Sequence, residues 1–436
     1  MTEHNEPRNA SSQPAQSSVQ DDVAVRYDRF PQGGFGETLK RLFGGDRVLW
    51  IIIIALMVIS VLVVYSSTAK MAYMPNSGSS TTAFLRRQLI MLGICVGAIL
   101  FFHRINSKRY RSWAFWVYLA GIALTLLAYV VGVKTNDAAR WISIFGFQFQ
   151  PSELLKLGTV MYLAKALAVR QDKIDQMRIL PTLMFWRWGE DKQRRIISEG
   201  TIPLLLPIII SCAVILPAHT SSAVLVGAIS LAMLFLGRVS FREIGRIVAV
   251  GASALLIILG LGLGRGDTAQ GRLSTWWMLW TQDRTEVMAK DLTDTERSMI
   301  AIHKGGIMGR GAGQSAVRVE MTHPESDYAF AFFAEEYGCV MAMLLLVLYL
   351  WVFFRAIDIF EKCPKKFPSM LALGIALMIT GQALLHIMVT VNIIPETGQT
   401  LPLISRGGSS LLFTSIGIGM LLSVSRQTEE GSHTTE

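Results

Sequence analysis

Long apolar runs separated by short polar connections dominate this chain from about residue 48 to residue 425. The runs lie at about 48–66, 88–103, 113–132, 152–169, 200–217, 221–237, 246–264, 328–354, 367–391 and 402–424. Several carry few or no charges over roughly 18 residues, the length a helix needs to cross bilayer hydrocarbon. The pattern predicts an all-α polytopic membrane domain of about ten helices, with one large loop, 265–327, between the seventh and eighth. Residues 1–47 break the pattern. They are rich in Ser, Gln, Asn and Asp to about 34 and have no charged-then-apolar leader, so a disordered tail is expected. A short interfacial helix is expected over Phe35–Arg47, and a second tail over 426–436.

Charge gives the helices a direction. Loops 104–112, 170–199, 238–246 and 355–366 hold 18 Lys and Arg, whereas the alternating loops 67–87, 133–151, 218–220 and 392–401 hold 5. The excess of basic residues marks the cytoplasmic side, which takes both termini with it. Loop 265–327 holds 8 but is too long for that rule, and alternation places it outside. The net charge of +9 therefore reads as topology, not as a nucleic-acid surface. The basic run 170–195 reads as a solvated face with affinity for anionic lipid. Cys95, Cys212, Cys339 and Cys363 show no CxxC or metal-like spacing, so neither a disulfide nor a zinc framework is expected.

Four stretches carry candidate chemistry. His323 to Glu336 contains Glu325, Asp327, Glu335 and Glu336, at the end of the polar loop and in the first turns of an apolar helix. A bare charge near mid-bilayer costs about 2.5–3.5 kcal/mol even on gentle insertion scales, so Glu335 and Glu336 need partners or a polar cavity. Asp327 and Glu335 lie about 12 Å apart along a helix axis, unlike the close carboxylate pair of a retaining glycosidase. Asp327 at the helix mouth suits a single general base; an N-cap is the plain alternative. Asn136 to Ile142, followed by Gln150-Pro151-Ser152-Glu153, fits either a site containing Arg140 or an Arg-Trp interfacial anchor before a helix start.

Lys304 to Gln314 is glycine-dense and basic. Lys304 and Arg310 with nearby backbone N–H groups suit a diphosphate, although a flexible loop explains the composition too. Trp276, Trp277 and Trp280 upstream suggest an amphipathic piece in the outer interface. In Asn392 to Ser410, two prolines, three glycines, Glu396 and Arg406 point to irregular backbone at membrane depth, which is tolerated only where it lines a protein cavity. Gln382, His386 and Thr390 form a polar stripe at helical spacing, read as interhelical hydrogen bonding.

Together these motifs resemble the SEDS (shape, elongation, division and sporulation) family of bacterial peptidoglycan polymerases. The resemblance rests on Ala139-Arg140-Trp141-Ile142 with Gln150-Pro151-Ser152-Glu153, Gly305-Gly306 through Gly313-Gln314, and Ser326-Asp327-Tyr328 with Glu335-Glu336. Its last component is Thr397-Gly398-Gln399-Thr400-Leu401-Pro402 with Ser405-Arg406-Gly407-Gly408-Ser409-Ser410. The long polar tail looks more like the cell-division branch than the elongation branch. Pro217-Ala218-His219-Thr220-Ser221 departs from the family's Pro-Asp-Leu-Gly-Thr, so no role is carried onto it.

The resemblance implies inverting transfer of a growing glycan from undecaprenyl diphosphate to the 4-hydroxyl of lipid II at the outer face of the bacterial cytoplasmic membrane. Asp327 would be the base. Arg140, Lys304, Arg310 and Arg406 would neutralise the diphosphate, with Glu335, Glu336 and Glu396 in the substrate site. A divalent cation (Mg or Mn) would assist, though no ligand set is visible. The implied partners are a class B penicillin-binding protein and other divisome membrane proteins at the septum. A lipid II flippase and a recruiting scaffold remain the competing classes; broken helices suit a flippase, but no internal repeat supports one.

Overall fold

The structure, a computed structural model, describes residues 43–73, 81–135, 138–144, 147–172, 174, 179–180, 189–260, 266–282, 292–315, 321 and 326–432. The expected N-terminal tail and interfacial helix lie, up to residue 42, outside the described residues, as do His323, Pro324 and Glu325. The fold below belongs to the unit Gly45–Glu436.

Every apolar run expected from the sequence is helical, with shifted ends. The first three are α1 (Arg47–Tyr73), α2 (Thr81–Arg104) and α3 (Ser107–Val131). The connection after α3 is not the plain loop of an all-α chain. It folds as a three-stranded antiparallel sheet of β1 (Val133–Thr135), β2 (Ala138–Ile144) and β3 (Phe147–Phe149) in the order β1-β2-β3. Alternating Phe147-Gln148-Phe149-Gln150 carries the period-2 signal for this sheet. Then come α4 (Pro151–Arg170), α5 (Glu190–Arg195), a π-helical stretch (Ile196–Leu205) and α6 (Leu206–Ile215). Helical backbone thus begins ten residues before the expected 200, and it passes through a wider turn where Pro203 and Pro207 cannot donate to an α-ladder.

Next are α7 (Thr220–Leu236) and α8 (Phe241–Gly260). The large loop contains two helices of its own, α9 (Gly266–Thr281) and α10 (Asp294–Gly305). α10 opens with a capping box between Thr293 and Glu296, a local signal present in the sequence. The last three helices are α11 (Ala329–Lys362), α12 (Lys366–Thr390) and α13 (Gly408–Ser432). α13 starts at Gly408 instead of 402 because residues 392–407 are irregular.

Among the described residues, seven helices are long and apolar enough to cross a membrane, and Thr220–Leu236 is a shorter apolar one. α12 and α13 form the centre, with 72% and 83% of their apolar windows buried, against 22% for α2 and 28% for α3. Large side chains such as Trp116 and Val130 stand outward on α3, as expected of a surface solvated by lipid tails. α12 packs against α4, α7, α11 and α13, and α10 packs against α11. The irregular segment 392–407 enters this centre, and its position defines the candidate site.

Candidate functional site

Ser326–Tyr328 form the turn that feeds α11. The N-cap position falls to Tyr328 and no side chain caps the helix, so Asp327 does not serve as the cap. Asp327 is half-buried, and Ser326 Oγ donates to its Oδ1 at 3.1 Å. Its Oδ2 faces Gly398 of the irregular segment: a Cβ built there would lie 3.8 Å away. Gly398 has φ +60°, the left-handed region that glycine enters without steric penalty. Ser405 Oγ donates to the Ser326 carbonyl at 2.8 Å, so the segment is bonded to the Asp327 turn.

Irregular backbone deep in a membrane domain must find its hydrogen bonds within the protein. Here side chains from several helices supply them. Ser221 Oγ donates to the Thr397 carbonyl at 2.8 Å, and His386 Nδ1 lies 2.7 Å from the Gln399 carbonyl. Gln382 Nε2 donates to the Thr400 carbonyl at 2.9 Å, and Tyr349 Oη donates to Pro402 O at 2.5 Å. The polar stripe of α12 thus bonds chiefly to this segment; Thr390 Oγ1 instead returns to the His386 carbonyl.

Behind the segment lies a charged pair that the sequence analysis missed. Lys156 is 2% exposed and Glu153 7%, with Nζ 2.8 Å from Oε1, and Lys156 also donates to Gln382 Oε1 at 2.9 Å. Glu153 therefore pairs with Lys156 in addition to sitting in the first turn of α4. A lysine three residues after a glutamate in an otherwise apolar run was the legible signal.

Glu396 shares the neighbourhood of Asp327. It lines a cavity of about 320 Å³ with Arg272, Trp276, Thr293, Thr295 and Asn392. Burial raises the Glu396 carboxyl above its ordinary range; Arg272 opposes the shift, and the negative charges of Asp327 and Asp294 add to it. Arg272 Nη1 donates to the Glu396 carbonyl at 3.3 Å, and the Trp276 and Trp280 indoles donate to the Asn392 carbonyl at 3.1 and 3.2 Å. Thr295 Oγ1 lies 3.2 Å from Tyr328 Oη, linking the cavity wall to the Asp327 turn. Arg272 was not singled out in the sequence; an arginine one turn before Trp276 on an amphipathic helix was the available clue.

The glycine-dense stretch does something different from the expected anion cradle. α11 breaks at Gly338 (φ 82°, ψ 173°), and the 305–313 stretch packs backbone-on-backbone into the break. Added Cβ atoms at Gly338 and Gly309 would collide with Ile307 O and Glu336 O. Its amides are spent internally: Gly309 N–H on Gly305 O, Arg310 N–H on Glu335 O, Gly311 N–H on Glu336 O. Glu335, fully buried, meets Arg310 at 3.4 Å and accepts from Ser315 Oγ. Glu336, 1% exposed, accepts from Ser66 Oγ at 2.5 Å and Gly313 N–H at 2.9 Å. The anion held by the glycine stretch is the protein's own Glu336, and both glutamates have hydrogen-bond donors inside the protein.

Lys304 is exposed in the last turn of α10, and Arg406 is half-buried beside Ser405. The backbone of Arg140 lies in β2, while its side chain is outside the described residues. The structure thus gathers Asp327 and Glu396 with Arg272, and separates Glu335, Glu336 and Arg310 into the α11 break. Among the described residues, no three His, Cys, Asp or Glu side chains are grouped to hold a metal ion. The divalent cation suggested by the sequence finds no such donor group there.

Residues 46–430 match the cell cycle protein family FtsW/RodA/SpoVE. Stage V sporulation protein E of Bacillus subtilis is 30% identical over 386 residues, covering 87% of this chain and 97% of that protein. A probable peptidoglycan glycosyltransferase FtsW of Geobacter sulfurreducens is 27% identical over 398 residues, covering 89% and 97%. A solved chain from a peptidoglycan synthase complex that coordinates polymerization and crosslinking superposes with a TM-score of 0.64 at 23% identity, covering 88% of this chain and 98% of that one. The rod shape determining protein RodA of Thermus thermophilus gives 0.58 at 24%, covering 88% and 97%. The two solved structures establish the shared polytopic membrane fold.

Proposed function

This chain belongs to the FtsW/RodA/SpoVE family of cell cycle proteins, and from that premise we propose that it is a peptidoglycan glycosyltransferase that polymerises lipid II during septal wall synthesis. The names of its FtsW relatives support the activity. The observation that carries the site assignment is Asp327: a half-buried carboxylate at the mouth of α11, bonded by Ser326 and facing Gly398, near the cavity lined by Glu396.

In this reading the 4-hydroxyl of lipid II attacks the anomeric carbon of the glycan held on undecaprenyl diphosphate. The new glycosidic C–O bond forms on the opposite face as the anomeric C–O bond to phosphate breaks. The diphosphate leaves with the electron pair, and Asp327 takes the hydroxyl proton and later releases it to water. A positioned general base contributes roughly 10²- to 10⁴-fold to rate. Arg272, Glu396 and Thr295 offer polar contacts to a sugar in the cavity, and Trp276 offers an apolar face. Arg140, Lys304 and Arg406 are the cations assigned to the diphosphate; Arg310 is shared with Glu335 and contributes less. The site opens on the extracytoplasmic side of the cytoplasmic membrane, with both termini inside. The partner assigned to it at the septum is a class B penicillin-binding protein; a chain of the same fold was solved in a peptidoglycan synthase complex that coordinates polymerization and crosslinking.

Asp327→Asn, purified with that partner and supplied with labelled lipid II, is expected to make no glycan chains while accumulating in membranes like wild type. Retained polymerisation by a well-inserted variant overturns the assignment.

A further inference from the structure

We infer that Gln399 is a positioning residue that sets where Gly398, and through it Asp327, stands during transfer; this rests on the reading of Asp327 as the base. Gln399 is 4% exposed and is held at both ends. Its side-chain amide donates to Ser222 Oγ at 2.8 Å and lies 3.2 Å from His219 Nδ1 and 3.4 Å from Ser221 Oγ. Ser222 Oγ in turn lies 3.0 Å from His219 Nδ1. The backbone N–H of Ser222 points at the same nitrogen, 3.3 Å away, and an amide can only donate. Nδ1 of His219 therefore carries the lone pair, and the hydroxyl proton of Ser222 points to it. This leaves the Ser222 oxygen to accept from Gln399.

The other end of Gln399 faces the catalytic helix. His386 Nε2 accepts from the Phe330 N–H at 3.4 Å, which fixes the imidazole proton on Nδ1, where it is donated to the Gln399 carbonyl at 2.7 Å. A continuous chain thus runs from His219 at the start of α7, through Ser222 and Gln399, to His386 and the first turn of α11. Phe330 is three residues from Asp327. Gly398, the neighbour of Gln399, faces Asp327 Oδ2. Every link is between buried groups, so a shift at any of them leaves a polar atom without water to replace the bond. The Pro217–Ser221 connection, which departs from the family pattern, anchors this chain through His219.

The test uses the protein co-purified with its class B penicillin-binding protein, with labelled lipid II as the probe. Gln399→Leu is expected to lower kcat at least tenfold while KM for lipid II stays within twofold, in a protein that still folds with a somewhat lower melting temperature. His219→Leu should do the same, and the double variant should be no worse than either single, because both cut one chain. His219→Asn, whose amide oxygen can accept at the Nδ1 position and still cap α7, should restore at least half of the activity. If Gln399→Leu fails to fold, Ser222→Ala decides, with an expected loss of three- to tenfold in kcat. Wild-type kcat in the folded Gln399 or Ser222 variant, or multiplicative losses in the double, overturns the positioning role. Asp327→Asn is run beside them: if it is inactive, such a result removes only this role, whereas activity in Asp327→Asn removes the base assignment beneath it.

Discussion

At the scale of single residues, two buried groups make opposite demands. Lys156 and Glu153 are both enclosed and mutually paired, and removing one partner from such a pair strands the other charge. Lys156→Met should lower stability by about 3–5 kcal/mol, and Lys156→Met with Glu153→Leu should recover most of it. Thermal unfolding of the purified protein measures both. Glu396 behaves differently because its folded-state pKa is raised, chiefly by burial. The fold then binds a proton more readily than the unfolded chain does. Stability from this group is full below the ordinary carboxyl range and falls as pH rises from there through the raised value. Glu396→Gln, which cannot ionise, should melt with a flatter pH dependence over that window and at a higher temperature than wild type above it. Equal pH slopes in the two proteins would remove Glu396 as the source.

At the scale of elements, the break in α11 and the glycine stretch packed into it form one device. Gly338 sits at a φ and ψ that only glycine adopts readily, and the stretch touches the helix where side chains have no room. Gly338→Ala should cut folded yield and melting temperature sharply, since strain of about 1–3 kcal/mol adds to the collision with Ile307 O. Gly93→Ala in α2, where an added Cβ meets nothing within 4 Å, is the control and should be neutral or slightly stabilising. Glu336→Gln takes the charge from an acceptor that serves Ser66 and Gly313, and should destabilise by about 1–3 kcal/mol. Were Gly338→Ala as stable as the control, the stretch would be a passive loop.

At the scale of the whole molecule, sidedness decides whether Asp327 meets a substrate presented outside. Met308 is 84% exposed on the stretch beside α11, whereas Ser315 is buried against Glu335, so Met308 is the better position for a label. In a variant without the four native cysteines, Met308→Cys should react with an impermeant maleimide in cells whose outer membrane has been opened. Glu190→Cys, exposed at the start of α5, should react only after lysis. The reverse pattern would place Asp327 inside and end the polymerase reading. The sequence by itself determined the apolar helices, the need of Glu335 and Glu336 for partners, and the family. These follow from local apolar length, motif order and the cost of buried charge, which are properties of the chain read in order. It did not reveal the small sheet, the Lys156 pair, Arg272 in the cavity wall, the true use of the glycines or the chain of bonds through Gln399. Those depend on which residues distant in sequence meet. Only the packing of α4, α7, α11 and α12 around residues 392–407 decided that, because irregular backbone inside a membrane domain takes whatever partners the surrounding helices bring to it.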